Sequence, residues 1–405
     1  MQTQSKFASL AVLVILGSLL VSLSTSATAQ SDAVRAIYVS AANVPTNIPG
    51  IHTYAEPPKG FNPVRATEVE LATYGLPARP DKRAEPDHYT QWERVVTAAK
   101  IRWNGELKLA PTQRHGMIPV GSSPRPDAVQ SQVTGPRQIS TINASGVILN
   151  NSQLKWNSKN SFNQVSSFIT VPQVRLPLGT TCTQDDQAFG AFEYSLVGID
   201  GFFFNPTTTS AAFTPGLLGG VLEEASCNPE TYTAVYGYAG IAGYIEGTVE
   251  AFSVNPGDDF YVLVNAFDES GTIEGYVYLA DQTNGTFQSI IVSSPGPADN
   301  PVELVGQSAE WLVLRGCCEG PAQPYGTWAL ANTFNFSFNG GTATNGTDKF
   351  FYPGSQASTT EILTMTDDAG DQDIELVNQG TTGYQGLHGL WFETTGCAYS
   401  GGCTP

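Results

Sequence analysis

The sequence is poor in histidine and in charged residues. Four His occur in 405 residues, and Asp, Glu, Lys and Arg together make up 14%. Beyond residue 140 the only histidine is His388, and no His-Glu-x-x-His zinc motif is present. Gly-x-Ser-x-Gly, Asp-Thr-Gly and Asp-Ser-Gly are also absent, and a Ser-His-Asp triad would have to use His388. We therefore expect no metal and no cofactor, which leaves carboxylate chemistry or plain binding.

Positive charge is scarce as well. Lys and Arg total 19 against 37 Asp and Glu, so the formal net charge is −18 at pH 7. Because phosphate groups are bound by basic surfaces, this balance excludes nucleic acid as an expected partner. Residues 30–140 hold 13 basic and 10 acidic residues, whereas residues 141–405 hold 5 and 27. A Pro- and Ser-rich stretch, 118–136, marks the boundary and is predicted to be a linker.

The first 29 residues have the pattern of a secretory signal peptide. An apolar run extends from Phe7 to Leu23, and Ala27-Thr28-Ala29 is a small-x-small cleavage site. We expect secretion and no membrane association once this segment is removed. A membrane anchor is the alternative, but the cleavage site and the Gly and Ser within the run argue against it.

Residues 30–140 are predicted to be a propeptide-like leader with a linker. They contain one helix-like stretch, Asp87 to Ile101. A mildly basic leader would be held on a strongly acidic domain at neutral pH and released as carboxylates are protonated. This predicts acid-triggered loss of the leader, and an ordinary small N-terminal domain is the alternative.

The chain has six cysteines, all of them after the predicted signal peptide. An even number of cysteines in a chain that is expected to be exported suggests disulfides, and six cysteines allow 15 possible pairings. Cys397 and Cys403 are expected to close a C-terminal tail, residues 396–405. Cys182 and Cys227 flank one block of strands and are candidates to pair. The adjacent Cys317 and Cys318 have no assigned partners.

Residues 141–395 are predicted to fold as many short strands. No 12-residue window shows a helical period, so an all-β sandwich or barrel is indicated, and without an internal repeat a propeller is not. Turns are predicted at Asn255-Pro256-Gly257-Asp258, Asn284-Gly285 and Asn339-Gly340-Gly341. The predicted strands are Ser166–Thr170, Ala188–Ile199, Tyr232–Tyr238, Gly247–Val254, Asp259–Phe267, Ile273–Asp281, Gln288–Val292, Ala309–Leu314, Trp328–Phe338 and Gly389–Glu393.

Three segments in order resemble the eqolisin, or glutamic peptidase, family. They are Val165-Ser166-Ser167-Phe168-Ile169-Thr170-Val171-Pro172, Leu196-Val197-Gly198-Ile199-Asp200-Gly201 and Gly306-Gln307-Ser308-Ala309-Glu310-Trp311-Leu312-Val313. The resemblance covers residues 160–395. It implies a concanavalin-A-like β-sandwich of antiparallel sheets and a secreted acid endopeptidase made with an N-terminal propeptide. The expected partner is a polypeptide, and we expect a monomer.

In that family a Glu and a Gln form the catalytic pair, and the resemblance carries the Glu to Glu310. As general base and then general acid, Glu310 would activate water and protonate the leaving amine. Alternation puts Ser308, Glu310 and Leu312 on one strand face, with Gln307 and Trp311 on the other. Asp200 matches the Asp of the family's Val-Gly-Ile-Asp-Gly motif and is expected to support the cleft.

The chain departs from the family where the catalytic Gln is expected. The matching segment is Leu217-Leu218-Gly219-Gly220-Val221, so Leu218 occupies the Gln position. A Leu side chain neither donates to an oxyanion nor holds a water molecule. Leu196 and Tyr238 are at cleft positions where the family has Trp and an acidic-Trp segment. Rescue by Gln187, Asn205 or Gln282 stays open, whereas Gln307 is expected on the opposite face of its strand.

Three other interpretations stay open. A catalytically impaired sandwich could bind peptide or glycan in a groove lined by aromatic residues, with candidates Phe202–Phe204, Tyr232, Tyr236 and Tyr238. A glycoside hydrolase could pair two carboxyls from the set Glu193, Asp200, Glu223 and Glu310. The acidic run Asp367, Asp368, Asp371, Asp373 and Glu375 could hold Ca²⁺ or form a solvated turn.

Overall fold

A computed structural model gives the fold of the chain in defined residue ranges. Those ranges are 36–109, 137–141, 144–151, 155–157, 159–176, 190–205, 210–239, 245–269, 272–293, 304–315, 331–333, 336–347, 349–353, 360–366, 372–381 and 388–394. The predicted signal peptide, the linker before residue 137 and the tail 396–405 lie outside them. Five of the six cysteines do too, since only Cys227 falls inside. The predictions on export, leader removal and disulfide pairing therefore stay predictions.

Helices occur in the N-terminal part. One helical segment covers residues 36–41; α1 is Glu68–Thr73 and α2 is Pro86–Ala98. A capping box between Thr67 and Glu70 starts α1, and Pro86 fits the first turn of α2 because that turn needs no N–H donor there. The predicted helix is thus confirmed, although it ends at Ala98 because Ile101 already pairs as a strand.

Strands make up most of the described chain. In chain order they are β1 Val44–Pro45, β2 Ile51–Thr53, β3 Ile101–Arg102, β4 Leu107–Leu109, β5 Arg137–Thr141, β6 Ala144–Asn150, β7 Phe162–Thr170, β8 Val174–Arg175, β9 Gly190–Asn205, β10 Ser210–Ser226, β11 Thr231–Ala239, β12 Ile245–Val249, β13 Asp259–Glu269, β14 Thr272–Asp281, β15 Thr286–Val292, β16 Ser308–Arg315, β17 Asn332–Thr333, β18 Phe336–Asn345, β19 Phe350–Phe351, β20 Thr360–Thr366, β21 Gln372–Thr381 and β22 His388–Thr394.

The strands form two packed sheets. The first has the order β12-β11-β10-β9-β16-β6-β20, and the second has the order β15-β14-β13-β7-β18-β22. Strand β21 joins them by hydrogen bonding to β20 and β22. Apart from the parallel pairs β3–β15 and β5–β20, pairing is antiparallel. The predicted all-β sandwich of antiparallel sheets is confirmed.

The main core lies between the two sheets. Trp311 is completely buried there, and its indole N–H donates to the Ser166 carbonyl across the sandwich, 3.1 Å away. The first sheet contributes Val147, Leu149, Val197, Ile199, Leu217, Val221, Ala309 and Val313, and the second contributes Val165, Ile169, Phe260, Val262, Val264, Val277, Leu279 and Ile290. These inward residues alternate with outward ones, which form two separate outer faces.

Several strand predictions are wrong. Asn339-Gly340-Gly341 is not a turn between strands; it is a bulge inside β18, where the register shifts between Asn339 and Thr342 and Gly340 has φ +61°. The predicted strand Trp328–Phe338 is replaced by the short β17 and by β18. Strands β6, β10, β20 and β21 were not among the named strands. Of the acidic run, Asp373 and Glu375 lie in β21, whereas Asp367, Asp368 and Asp371 lie outside the described residues.

Residues 36–109 cover the outer face of the second sheet. Their side chains join Phe168, Tyr261, Tyr276, Tyr278 and Phe287 in a second apolar cluster. Within the described part of the chain, no helix has the length and apolar character needed to cross a bilayer.

Candidate functional site

The outer face of the first sheet, called here the site face, carries the candidate residues. Most of its side chains are aliphatic, so the few polar side chains on it are candidates for a functional role. Its apolar members are Ala144, Ile148, Tyr194, Leu196, Leu218, Leu222, Val235, Leu312, Leu314 and Leu363. Glu310 lies on this face because it alternates with Trp311, whose side chain enters the core.

Glu310 and Leu218 lie level with each other on the two strands that flank Gly198. The row formed by these three residues is called here the Glu310 rung. Gly198 of β9 pairs with Glu310 of β16 on one side and with Leu218 of β10 on the other. With strands about 4.8 Å apart, their Cα atoms are separated by roughly 9–10 Å. Gly198 places no side chain between them, and a Cβ at that position would lie 3.4 Å from the Leu218 Cβ. Position 218 therefore faces Glu310 with only Gly198, which has no side chain, between them.

The carboxyl group of Glu310 is held in a confined place. Ser308 Oγ donates a hydrogen bond to Glu310 Oε1 at 2.8 Å. Gly201 lies beside the other oxygen, since a Cβ at position 201 would be 3.1 Å from Glu310 Oε2, and the residue has φ +113°. Only glycine combines this backbone conformation with this close approach. Glu310 is 5% exposed and Leu218 is 9% exposed, so both side chains are buried.

Asp200 anchors the strand that carries Glu310. Its carboxylate accepts four backbone N–H groups, from Val305, Gly306, Gln307 and Ser308, at 2.7, 2.8, 2.7 and 3.3 Å. Asp200 itself has φ +56°, a conformation that Asp tolerates better than most residues. Burial raises the pKa of Asp200 to about 6, while the four N–H donors act in the opposite direction. Asp200 thus fixes the start of β16 and does not itself face a substrate.

Replacing Asp200 by Ala is expected to lower the free energy of unfolding by about 3–5 kcal/mol, because four buried N–H groups lose their acceptor. Asp200→Asn keeps one acceptor oxygen and should lose less. Urea unfolding of the parent and both variants at pH 7, where the carboxyl is ionised, measures this. A loss below about 1 kcal/mol in the Ala variant would show that the anchor is dispensable.

Leu196 lies on the site face, 2% exposed, where β9 pairs with Leu312 and Gly220. Position 238 is placed differently. It pairs with Leu217, whose side chain enters the core, and Gly237 is the residue beside Leu218. The structure therefore brings Leu196 next to the Glu310 rung but puts position 238 on the other face of the sheet.

Of the aromatic residues proposed to line a groove, the structure describes the side chains of Tyr232 and Tyr236, and both are used in packing. Tyr236 is completely buried in the main core. The Tyr232 hydroxyl accepts the Val174 N–H at 3.0 Å and packs against the core. Side chains 202–204 lie outside the described residues.

The carboxyl pair of the glycosidase alternative does not form at Glu310 either. Glu193 and Glu223 pair with each other across β9 and β10, and both are completely buried on the core side of the sheet. The Asp200 carboxylate is occupied by backbone N–H groups. Among the residues that the structure describes, no group of three or more His, Cys, Asp and Glu could hold a metal ion.

Among the predicted rescue amides, Gln282 is the one whose side chain the structure describes, and Gln307 is confirmed on the face opposite Glu310. Gln282 follows β14 in the second sheet, and Gln307 alternates with Glu310 and is 2% exposed. Gln187 lies outside the described residues, as does the side chain of Asn205.

Two polar residues of the site face were missed by sequence reasoning. Asn150 of β6 pairs with Ser308 and shares the face of Ile148, so its amide lies next to the residue that bonds Glu310. Glu361 of β20 pairs with Ile148 on the same face and is 6% exposed. Each sits in a strand of alternating pattern, but only the pairing register shows that they lie on the same face as Glu310.

The fold and site together define a β-sandwich with a shielded carboxyl on the outer face of one sheet, positioned by a serine and by an anchored strand end. A model of the peptidase A4 family matches residues 143–376, more than half of the chain. The chain belongs to this family, the glutamic peptidases that its motifs resemble.

Two solved structures are similar to parts of the chain. Aspergilloglutamic peptidase from Aspergillus niger has a TM-score of 0.37 and 19% identity, covering 51% of this chain and 99% of that one. The enzymatically active domain of tailspike protein 2 from bacteriophage CBA120 has a TM-score of 0.27 and 9% identity, covering 49% of this chain and 24% of that one. A comparison with curated protein sequences finds no match.

Proposed function

We propose that this peptidase A4 family member is exported, binds polypeptides along the site face and hydrolyses them slowly in acid, with Glu310 moving the protons. The observation that carries the proposal is the rung in which Glu310 faces position 218 across Gly198. Family membership supports a polypeptide substrate. The N-terminal signal pattern supports export, and the N-terminus of the protein recovered from culture medium tests it.

In the proposed reaction, Glu310 accepts a proton from a water molecule as the water oxygen bonds to the peptide carbonyl carbon. The same proton then passes to the departing amine nitrogen as the C–N bond breaks, and the carboxylate is restored. The hydrogen bond from Ser308 Oγ to Oε1 orients the Glu310 carboxyl for this. No residue other than Glu310 needs to change its protonation state.

The weak point is the oxyanion that forms on the carbonyl oxygen. An amide donor at position 218 would stabilise it, and Leu218 has none. Losing one such donor lowers turnover by roughly 10²–10³-fold. We therefore infer low rather than absent turnover.

A second candidate function is polypeptide binding without hydrolysis. Leu218 favours it, because an aliphatic side chain turns the position facing Glu310 into an apolar contact. The two candidates differ in one observable, namely whether bound peptide is cut.

Glu310→Gln is expected to lower peptide cleavage by the full chain at about pH 3–4 by about 10²–10⁴-fold, because an amide cannot accept the proton from water. The matched control is Glu230→Gln, which changes an exposed carboxyl and should leave the rate unchanged. Product formation by mass spectrometry gives the rates. Parent protein that binds peptide without cutting it would favour the second candidate, and equal rates in parent and Glu310→Gln would reject Glu310 as the acting group.

A further inference from the structure

The N-terminal residues 36–109, called here the N-terminal lobe, lie on the side of the sandwich away from the site. Their apolar cluster involves the outer face of the second sheet, through β7, β13, β14 and β15. The site face belongs to the first sheet, and its apolar cluster contains no residue of the lobe. Within the described residues, the lobe therefore does not obstruct Glu310.

Aromatic packing holds the lobe in place. Tyr38 stacks on Phe267 at a centroid distance of 5.6 Å and meets the edge of Tyr276 at 5.4 Å. Tyr54 contacts Tyr276 edge-on at 6.2 Å. Removing the lobe would expose a continuous apolar face on the second sheet, formed by Phe168, Tyr261, Leu263, Phe267, Tyr276, Tyr278, Phe287 and Ile291. Exposed patches of this kind are rare on soluble monomers.

The lobe also completes both sheets. Strands β2 and β3 pair with β15, the edge of the second sheet, and β4 pairs with β12, the edge of the first. Ile48, Ile51 and Leu107 of the lobe are part of the main core between the sheets. The lobe thus covers two strand edges that would otherwise be open to other chains.

Charges contribute little to this contact. Among the described residues two ion pairs cross it, Arg94–Asp259 and Lys108–Glu250, the second at 3.3 Å between half-exposed side chains. Burial raises the pKa of Asp259 in spite of Arg94, so protonating it in acid does not weaken the fold. Buried Arg102 lies over the Phe287 ring and donates to Gln288.

Protonation of His88, unlike that of Asp259, lowers the stability of the fold in acid. It stacks on Phe350 and lies within hydrogen-bond distance of the Tyr352 hydroxyl, 3.1 Å away. Burial lowers the pKa of His88 to about 4, so its contribution falls between about pH 6.5 and 4 and then stays constant. The stability lost at this one histidine is small beside the stability that the aromatic packing, the strand pairing and the shared core provide.

We propose that the N-terminal lobe is a lasting part of the folded protein. It stays bound to the sandwich in neutral and in acid solution after the chain is cut between residues 109 and 137. This replaces the acid release that the charge balance suggested. The attachment is non-covalent, since all six cysteines lie beyond residue 181.

The test uses the full chain with a site-specific protease sequence inserted between Gln130 and Ser131. After cleavage, size-exclusion chromatography is run at pH 7 and at pH 4, with both fragments followed by mass spectrometry. Co-elution of the two fragments at both pH values is expected. Separate elution of the folded larger fragment at either pH overturns the proposal.

Three further variants of the cleaved protein identify what holds the lobe. Arg94→Gln/Lys108→Gln removes both ion pairs and should still co-elute. Tyr38→Asp places a charge in the aromatic contact and should release the lobe, whereas Val69→Asp, at a site that is 50% exposed, should not. Release by the charge-removing pair with retention in Tyr38→Asp would show an electrostatic attachment and contradict the proposal.

Discussion

Leu218→Gln is expected to raise the rate of peptide cleavage in acid by about 10²–10³-fold over the parent. The new side chain would project from β10 towards Glu310 across Gly198, which has no side chain to obstruct it. Its amide could then donate to the carbonyl oxygen of a bound peptide and hold the attacking water. The measurement is the single-turnover cleavage rate of a peptide at about pH 3–4.

Leu222→Gln is the matched control for this gain. Leu222 lies on the same strand and the same face and is 7% exposed, so it carries the same general cost of placing an amide among aliphatic side chains. It should not accelerate cleavage. A folded Leu218→Gln protein that is no faster than the parent would contradict the role assigned to position 218.

The second large effect concerns Glu193 and Glu223, which are expected to make the fold most stable in acid. They lie directly opposite each other on β9 and β10, and both are completely buried. Among the described residues, neither Glu193 oxygen has a hydrogen-bond partner, and Glu223 Oε2 accepts only the Ser195 N–H at 3.2 Å. Burial raises the pKa of both carboxyls well above the ordinary value, and the charge of Glu193 adds to the effect on Glu223.

The sign follows from proton binding. A carboxyl whose pKa is raised in the fold contributes fully below its unfolded pKa, and the contribution is lost as pH rises through the folded pKa. On the next strand, Glu223 pairs with Tyr232 of β11. An uncompensated buried charge costs about 3–5 kcal/mol. Unfolding on raising the pH is therefore expected.

Glu193→Gln and Glu223→Gln should each raise the free energy of unfolding at pH 7 by a few kcal/mol, with little change at pH 4. Denaturant titrations at the two pH values measure this. Glu224→Gln, the half-buried neighbour on β10, is the matched control and should not alter the pH dependence. Lower stability of Glu193→Gln at pH 7 would instead mean that its carboxylate is held as an ion in the fold, which contradicts this prediction.

Much of the fold could be predicted from the sequence. Strands β7, β11, β13, β14 and β16 show the alternation and the flanking turns of half-buried strands, and the structure has them within a few residues of the prediction. The bulge at Gly340 could not be predicted, because it depends on tertiary contacts. Gln91 of α2 donates to the Gly340 carbonyl, and the Trp311 indole packs against Gly341.

Only part of the site could be predicted. Motif order and alternation identify Glu310 and the face it occupies, and the matching segment identifies Leu218. The role of Asp200 depends on four N–H groups more than 100 residues away. Only the pairing register shows that Asn150 and Glu361 share the face of Glu310. The removable leader stays a prediction from charge, and charge counting could not show the aromatic contacts between the lobe and the second sheet.

The central claim is that Glu310 and position 218 act as a pair across Gly198. The most direct test measures acid cleavage by four proteins: the parent, Leu218→Gln, Glu310→Gln and the double variant. The gain from Leu218→Gln should vanish when Glu310 is replaced, because an oxyanion donor cannot help where no group activates the water. A gain that persists in the Glu310→Gln background would contradict the account.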